Sequence, residues 1–362
     1  MALVWLSEEQ WRARAAAHEA RVDALVAAHL ERRRRGERHA VEDFLFDYYG
    51  CSPAHLRRWH PGAGIALAGA ARDPRAQWKH MRTITCEPGV QPLENARIAA
   101  GTSAAYRSAV TLDTPAFLAA RGKAVGFVRR LLTATLGREI HTGCFGLHEW
   151  AMVYRQPSER RHASLPLRLG TDGTDAVLEA GTLRCTHFDA TRFFTPDGLA
   201  RNTHHPTREG MIDHEQPGCL HAGMDVYRWA HKLTPAIPSE LTADAFELAR
   251  EIRALDMQAS PYDLRALGYE PVAIETPEGR REYADRQRDF ADRANALRRR
   301  LLAAIDTLDT TTAPDANTTP DANTTPDETV APEAVATLDA AQSSSNSDEK
   351  RASSPSPYSS SS

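Results

Sequence analysis

The chain has 362 residues, 41% of them hydrophobic and 25% charged, and a formal net charge of −4. No apolar run is long enough to cross a bilayer, and Glu8, Glu9 and Arg12 arrive too early for a secretory signal. The five cysteines (Cys51, Cys86, Cys144, Cys185, Cys219) are odd in number and never form a CxxC pair, which argues against a disulfide framework and a cysteine-based zinc site, and for a reducing cytoplasm.

Residues 7–35 read as a long helix opened by a Ser7/Gln10 capping box, with Trp11, Ala15, Val22, Leu25, Val26 and Leu30 at helical spacing. The basic run Arg32 to Arg35 sits where a helix C-terminus favours positive charge, a simpler role for it than nucleic-acid binding. An aromatic-rich short helix and turn is expected over 43–62, and helices over 92–110 and 115–136, the last closed by Gly137. The middle of the chain reads as short strands at 151–155, 165–169, 176–180 and 183–188, with Gly170 and Gly173 marking a turn between two of them. Helices resume over 218–233, 242–255 and 279–305. From Asp309 the text becomes a Pro-Asp-Ala-Asn-Thr-Thr repeat and then a serine-rich stretch, too poor in large apolar residues to offset ordering entropy and expected to be disordered. That tail carries nine acids and two bases, a charge of −7, which leaves the body at +3. The expected fold class is α+β: one large domain over 1–308, mainly helical with a small central sheet, followed by an acidic tail over 309–362.

Nine of the fifteen histidines fall between residues 141 and 231, in three blocks that set His and carboxylate beside large apolar residues: GCFGLHEWAMVYR, CTHFDATRFF and DHEQPGCLHAGMDVYRWAHKL. Ionisable groups in core-like text must be paired, hydrogen-bonded or metal-bound, so the blocks point to a site. His221 and Asp225 share a helix face, with Glu215 just upstream. His187 and Asp189, two apart in an expected strand end, share a face as well. In the expected strand text His148 and Glu149 point to opposite sides, so one of the two reaches a given pocket. HEW lacks the second histidine of HExxH, which removes that metalloprotease reading. Asp256, Tyr262 and Asp263 surround Ser260-Pro261, where a capped turn between elements is the simpler reading.

The strings DFLFDYY, LRRWHPG, GCFGLHEWAMVYR, LRLG with GTDAV, THFDA with RFFTP, EQPGCLHAGMD, and LDMQASPYDL with IET resemble, over roughly residues 1–308, an actinobacterial family labelled 3-methyladenine DNA glycosylase. The resemblance implies a DNA-repair hydrolase acting on the N-glycosidic bond of an alkylated base, with DNA as partner. In that reading Asp225 is the best-placed base, His221 its neighbour, and Tyr227 or Trp229 lies near the bound base. Glu215, Glu149 and His148 complete the catalytic candidates. A DNA-binding role sits poorly with a body charge of +3, an acidic tail and so many histidines. Residue chemistry alone ranks first a metal-dependent enzyme on a small substrate, with a divalent ion held by His187, Asp189, His221 and Asp225. A non-enzymatic protein with a structural polar network is the third reading.

Overall fold

The computed structural model describes residues 3–85, 108–156, 160 and 162–311. The chain opens with strand β1 (Val4–Leu6) and turns into helix α1 (Glu8–Arg34) through the expected capping box: the Ser7 hydroxyl accepts from the Gln10 amide at 3.2 Å, and the Gln10 side chain accepts from the Ser7 amide at 2.9 Å. Short helices α2 (Phe44–Tyr49) and α3 (Pro53–Arg57) follow. The sheet is completed by β2 (Ile65–Ala68), β3 (Met81–Thr85) and β4 (Ser108–Leu112) in the order β1-β2-β4-β3. β1 runs parallel to β2, while β4 is antiparallel to both its neighbours. Trp11 joins α1 to this sheet, its indole N–H donating to the Ala68 carbonyl at 3.0 Å.

The rest is helical: α4 (Thr114–Leu136), α5 (Leu147–Ala151), α6 (Gly170–Ala180), α7 (Phe188–Thr191), α8 (Pro196–Ala200), α9 (Met211–His214), α10 (Leu220–Lys232), α11 (Ser239–Gln258) and α12 (Pro277–Thr311). α4, α10, α11 and α12 pack together around Val128, Tyr227, Phe246, Ile252 and Leu301, all fully buried. Gly223 lets α10 approach α11, since a Cβ there would lie 2.9 Å from the Ile252 side chain. Among the described residues, no helix is long and apolar enough to cross a membrane.

The class is therefore α+β, but the strands are not those expected. Residues 176–180 lie in α6 and Ala151 ends α5. Leu167 makes one isolated bridge, with Tyr262, and 183–187 is irregular coil leading into α7. Gly170 opens α6 and Gly173 lies within it, so neither marks a turn between strands. The true strands come from the first third of the chain, and one of them, IALA, is too alanine-rich to read as a strand. Apolar runs of four or five residues fit a turn of buried helix as well as a strand. Of the helix expected over 92–110, residues 108–110 lie in β4 and 92–107 fall outside the described residues. α12 runs past the expected tail boundary to Thr311, with Arg129 paired to Asp309 at 2.7 Å; residues 312–362 lie outside the described residues.

Trp11→Phe removes the N–H that satisfies the buried Ala68 carbonyl and shrinks the ring between α1 and the sheet. It should cost about 1–3 kcal/mol in urea unfolding; an unchanged midpoint would show that this junction adds no stability.

Candidate functional site

The three histidine blocks meet at α10, whose face presents His221, Asp225 and Arg228, spaced by four and then three residues. α11 lies against it and contributes Arg253 and Asp256, again one turn apart. The remaining members arrive on short segments. α5, carrying His148 and Glu149, starts at Gly146, whose left-handed backbone (φ +74°) leaves no room for a side chain between Ala259 and Tyr283. It is held down by Trp150, whose indole N–H donates to the Ala259 carbonyl at 2.8 Å. His187 and Asp189 sit at the start of α7, and Glu215 follows α9. Arg138 fixes that last stretch by donating to the Glu215 and Ile212 carbonyls.

Two buried triads result. His148, His221 and Asp256 form one and His187, Glu215 and Asp225 the other, each with ligand atoms within 4.8 Å of one another. In the first, His148 Nε2 lies 2.8 Å from Asp256 Oδ1, while the His148 and His221 rings meet edge to face at 4.6 Å. His221 Nδ1 is buried without a hydrogen-bond partner. In the second, His187 Nε2 lies 3.4 Å from Asp225 Oδ2 and 3.7 Å from Glu215 Oε1, an oxygen with no hydrogen-bond partner. His187 stacks on His221 at 5.2 Å, so the triads are neighbours.

Arginines and a tyrosine close the network. Arg253 donates to Glu149 at 2.8 Å and Asp256 at 2.9 Å. Arg228 donates to Asp189 at 2.6 Å and Asp225 at 3.2 Å, and the Tyr49 hydroxyl donates to Asp225 at 2.6 Å. Burial opposes charge on His148, but the Asp256 carboxylate and Cys144 outweigh it and hold the imidazole well above its ordinary pKa. Burial likewise opposes the Asp256 carboxylate, yet His148, His221 and Arg253 keep it below the usual range. Asp225 is held low in the same way by Arg228, His187 and Tyr49. Burial raises Glu149 and pushes Glu215 up to about 7, and burial beside His148 depresses His221.

What faces each Nδ1 separates the triads. His187 Nδ1 accepts from the Ala190 backbone N–H at 3.3 Å, so its proton sits on Nε2, facing the carboxylates. His148 Nδ1 instead faces the Cys144 sulfur at 3.4 Å, and a thiol can donate or accept. Of the two triads, only the first has an unpartnered ring nitrogen, His221 Nδ1, and a histidine whose Nδ1 faces a group able to accept.

A pocket lined by His221 of the first triad has about 480 Å³ of atom-free space counting its mouth. Phe44, Tyr48, Phe193 and Tyr262 are among its walls, and Glu149, Asp189, His221 and Arg253 supply its polar lining. The structure thus brings together His148, Glu149, His187, Asp189, Glu215, His221 and Asp225. The expected geometry of two pairs differs: His187 caps a helix that contains Asp189, and His148-Glu149 is helical, with Glu149 on the pocket and His148 behind it. Asp225 is not on the pocket lining, and Tyr227 and Trp229 belong to the helix core, against Phe246 and Phe127. Asp256 lies within α11, fully buried, rather than in a turn, while Asp263 pairs with Arg265. Arg228, Arg253, Tyr48 and Tyr49 carry no site signal in the sequence, because Asp189, Glu149, Phe193 and Asp225, which they respectively meet, are distant along the chain.

With divalent ions removed, His148 sets a stability slope. A proton held more tightly in the folded state stabilises it fully below the ordinary pKa of 6.5, and that contribution is lost as pH rises through the higher folded value. Unfolding free energy in chelator should therefore fall from pH 6.5 upward by more in the wild type than in His148→Gln; equal slopes would show that His148 is neutral in the fold.

Compared with protein-family models, with curated proteins and with solved structures, the chain has no match. The chemistry of the site rests on its own residues.

Proposed function

We propose that His148, His221 and Asp256 hold one divalent metal ion and that the chain is a metal-dependent hydrolase for a small substrate entering between the aromatic walls. The observation that carries this reading is the charge of the buried centre. Five buried carboxylates (Glu149, Asp189, Glu215, Asp225, Asp256) face three buried guanidiniums (Arg228, Arg253, Arg298), and Arg298 acts on both Glu215 and Asp225. With all five ionised and every histidine neutral, two negative charges are left over, the charge of one divalent cation; without an ion, protons on His148 and Glu215 reduce that excess.

The donor set fits. Two imidazoles and one carboxylate are a common catalytic ligand set that leaves a position open for water. Ligand atoms about 2.1 Å from one tetrahedral ion lie about 3.4 Å apart, so His148 Nε2 and Asp256 Oδ1, 2.8 Å apart, would part slightly to admit it. His221 lines the pocket, so the open position would face incoming substrate. A bound ion lowers the pKa of its water to around 7. Glu149, on the pocket and anchored by the same Arg253 nitrogen as Asp256, is placed to take the proton.

A second reading, an N-glycosidic hydrolase of alkylated bases in DNA, is favoured by the aromatic walls, which would stack a planar base. Glu149 or Asp189 would then activate the water, since Asp225 is engaged by Tyr49, Arg228 and His187 behind the pocket. Free thiols at Cys51, Cys144, Cys185 and Cys219 support a cytoplasmic setting for either reading.

Purified protein should contain about one divalent ion per chain by elemental analysis, His221→Ala and Asp256→Asn should fall to background while folded, and Glu149→Gln should keep its metal. On a panel of chromogenic esters, Glu149→Gln should lower hydrolysis by about two to four orders of magnitude. Background metal in the wild type after reconstitution with zinc, manganese or ferrous ion would end this reading. Salt-sensitive DNA binding with release of a methylated base by metal-free protein would establish the second.

A further inference from the structure

We infer that Cys144 is a positioning residue for the metal ligand His148: its thiol holds Nδ1 and thereby frees Nε2 to bind the ion. The inference rests on the metal reading above and goes beyond it, because no ligand atom of the centre comes from Cys144.

A neutral imidazole carries one proton, so the nitrogen that binds a metal must leave the proton on the other. The group facing that other nitrogen decides whether this is allowed, and metal-bound histidines almost always donate through it. Among the buried histidines that touch carboxylates, the two in the triads differ at this point. At His187 the group facing Nδ1 is the backbone N–H of Ala190, a donor that cannot accept. A proton on that nitrogen would meet another proton, so Nε2 keeps its own.

At His148 the group facing Nδ1 is the Cys144 sulfur, one helical turn upstream in sequence. Without an ion, Nε2–H donates to Asp256 and Nδ1 faces the sulfur, donating to it when protonated and accepting from the thiol when not. With an ion, Nε2 gives up its hydrogen bond and its proton, and Nδ1–H donates to the sulfur. A thiol serves both states by rotating one S–H bond, which a carbonyl or a backbone amide cannot do.

The local fold supports such a role. Cys144 precedes the left-handed pair Phe145 and Gly146 (φ +48° and +74°), and this bend turns the chain so that residue 144 faces the His148 ring. It is half-buried, within a loop rather than a core. A purely apolar packing role would be served as well by alanine or valine; the hydrogen-bond role would not.

The test is titration of metal-free protein with cobalt(II), read by its visible d–d absorption, in the wild type, Cys144→Ala and Cys144→Ser. Cys144→Ala should weaken cobalt binding by about 10- to 100-fold, the usual cost of losing a partner behind a metal ligand. Cys144→Ser, which keeps a group able to donate and accept, should recover to within a few-fold of the wild type, with metal-free melting temperatures alike in all three. If Cys144→Ala does not fold, Cys144→Val removes the hydrogen bond with little loss of volume. Wild-type affinity in a folded alanine or valine variant would overturn the inference and leave the metal reading standing. An intense near-ultraviolet thiolate-to-cobalt band, lost in Cys144→Ser, would also overturn it by making Cys144 a ligand. A wild type that takes up no cobalt would remove the metal reading itself.

Discussion

Burying five carboxylates within a few turns of two helices is the constraint on which this structure depends. An unpaired ion in a protein interior costs several kcal/mol, far more than one residue's packing returns. Each acid is therefore met by a cation or a donor: Glu149 and Asp256 by Arg253, Asp189 and Asp225 by Arg228, and Glu215 by His187. These pairings fix where α5, α7 and the stretch after α9 can sit against α10 and α11. A region with little regular structure of its own, roughly 141–219, is ordered by what its few charged side chains must reach. Its backbone is tied down as well: the Asn202 side chain bridges the Cys185 amide and carbonyl, and Gln216 accepts from the His141 and Gly218 amides.

The arrangement is tight but not closed. The Glu215 carboxylate keeps one buried oxygen, and His221 one ring nitrogen, without a hydrogen bond. A network that served only to fix the fold would be expected to satisfy every member, because a partly satisfied one is worse than an apolar core. A leftover polar atom such as His221 Nδ1, on a residue that lines a pocket, is what a site looks like when its ligand completes it. The excess of carboxylates over guanidiniums points the same way, since protons on His148 and Glu215 offset it only below their own pKa values.

The sequence revealed the location of this centre more readily than its geometry. His221 and Asp225 share a face because a helix returns every 3.6 residues, and that relation needed no tertiary information. His187 and Asp189 were expected to align along a strand; they meet the cluster because His187 caps α7 and Asp189 follows within it. The long helices were readable from caps and spacing: Ser7 and Gln10 at α1, and the apolar stripe that becomes α4. The sheet was not, because three- to five-residue strands such as VWL and IALA gain their order from pairing across the fold rather than from a local signal. Arg228 and Arg253 were hidden for a related reason. Each lies three residues from an acid on its own helix, as many surface pairs do. Only the second partner, Asp189 or Glu149 from a distant segment, turns the pair into part of a site.

The division of labour between rigid and irregular segments bears on how the site could work. His221 and Asp256 stand on α10 and α11, long helices whose close approach at Gly223 holds their spacing against small disturbances. His148 and Glu149 stand on a five-residue helix between a left-handed bend and a run of turns. Of the three proposed ligands, two are fixed by the scaffold and the third is brought to them by a segment pinned through Trp150. A small shift of that segment would change the His148–Asp256 separation and the position of Glu149 together. Glu149 of this segment lines the pocket, so the proposed ligand His148 and the pocket wall would move together. With two of the proposed ligands fixed and one on an adjustable arm, a centre of this kind would admit an ion without unfolding the helices that define it.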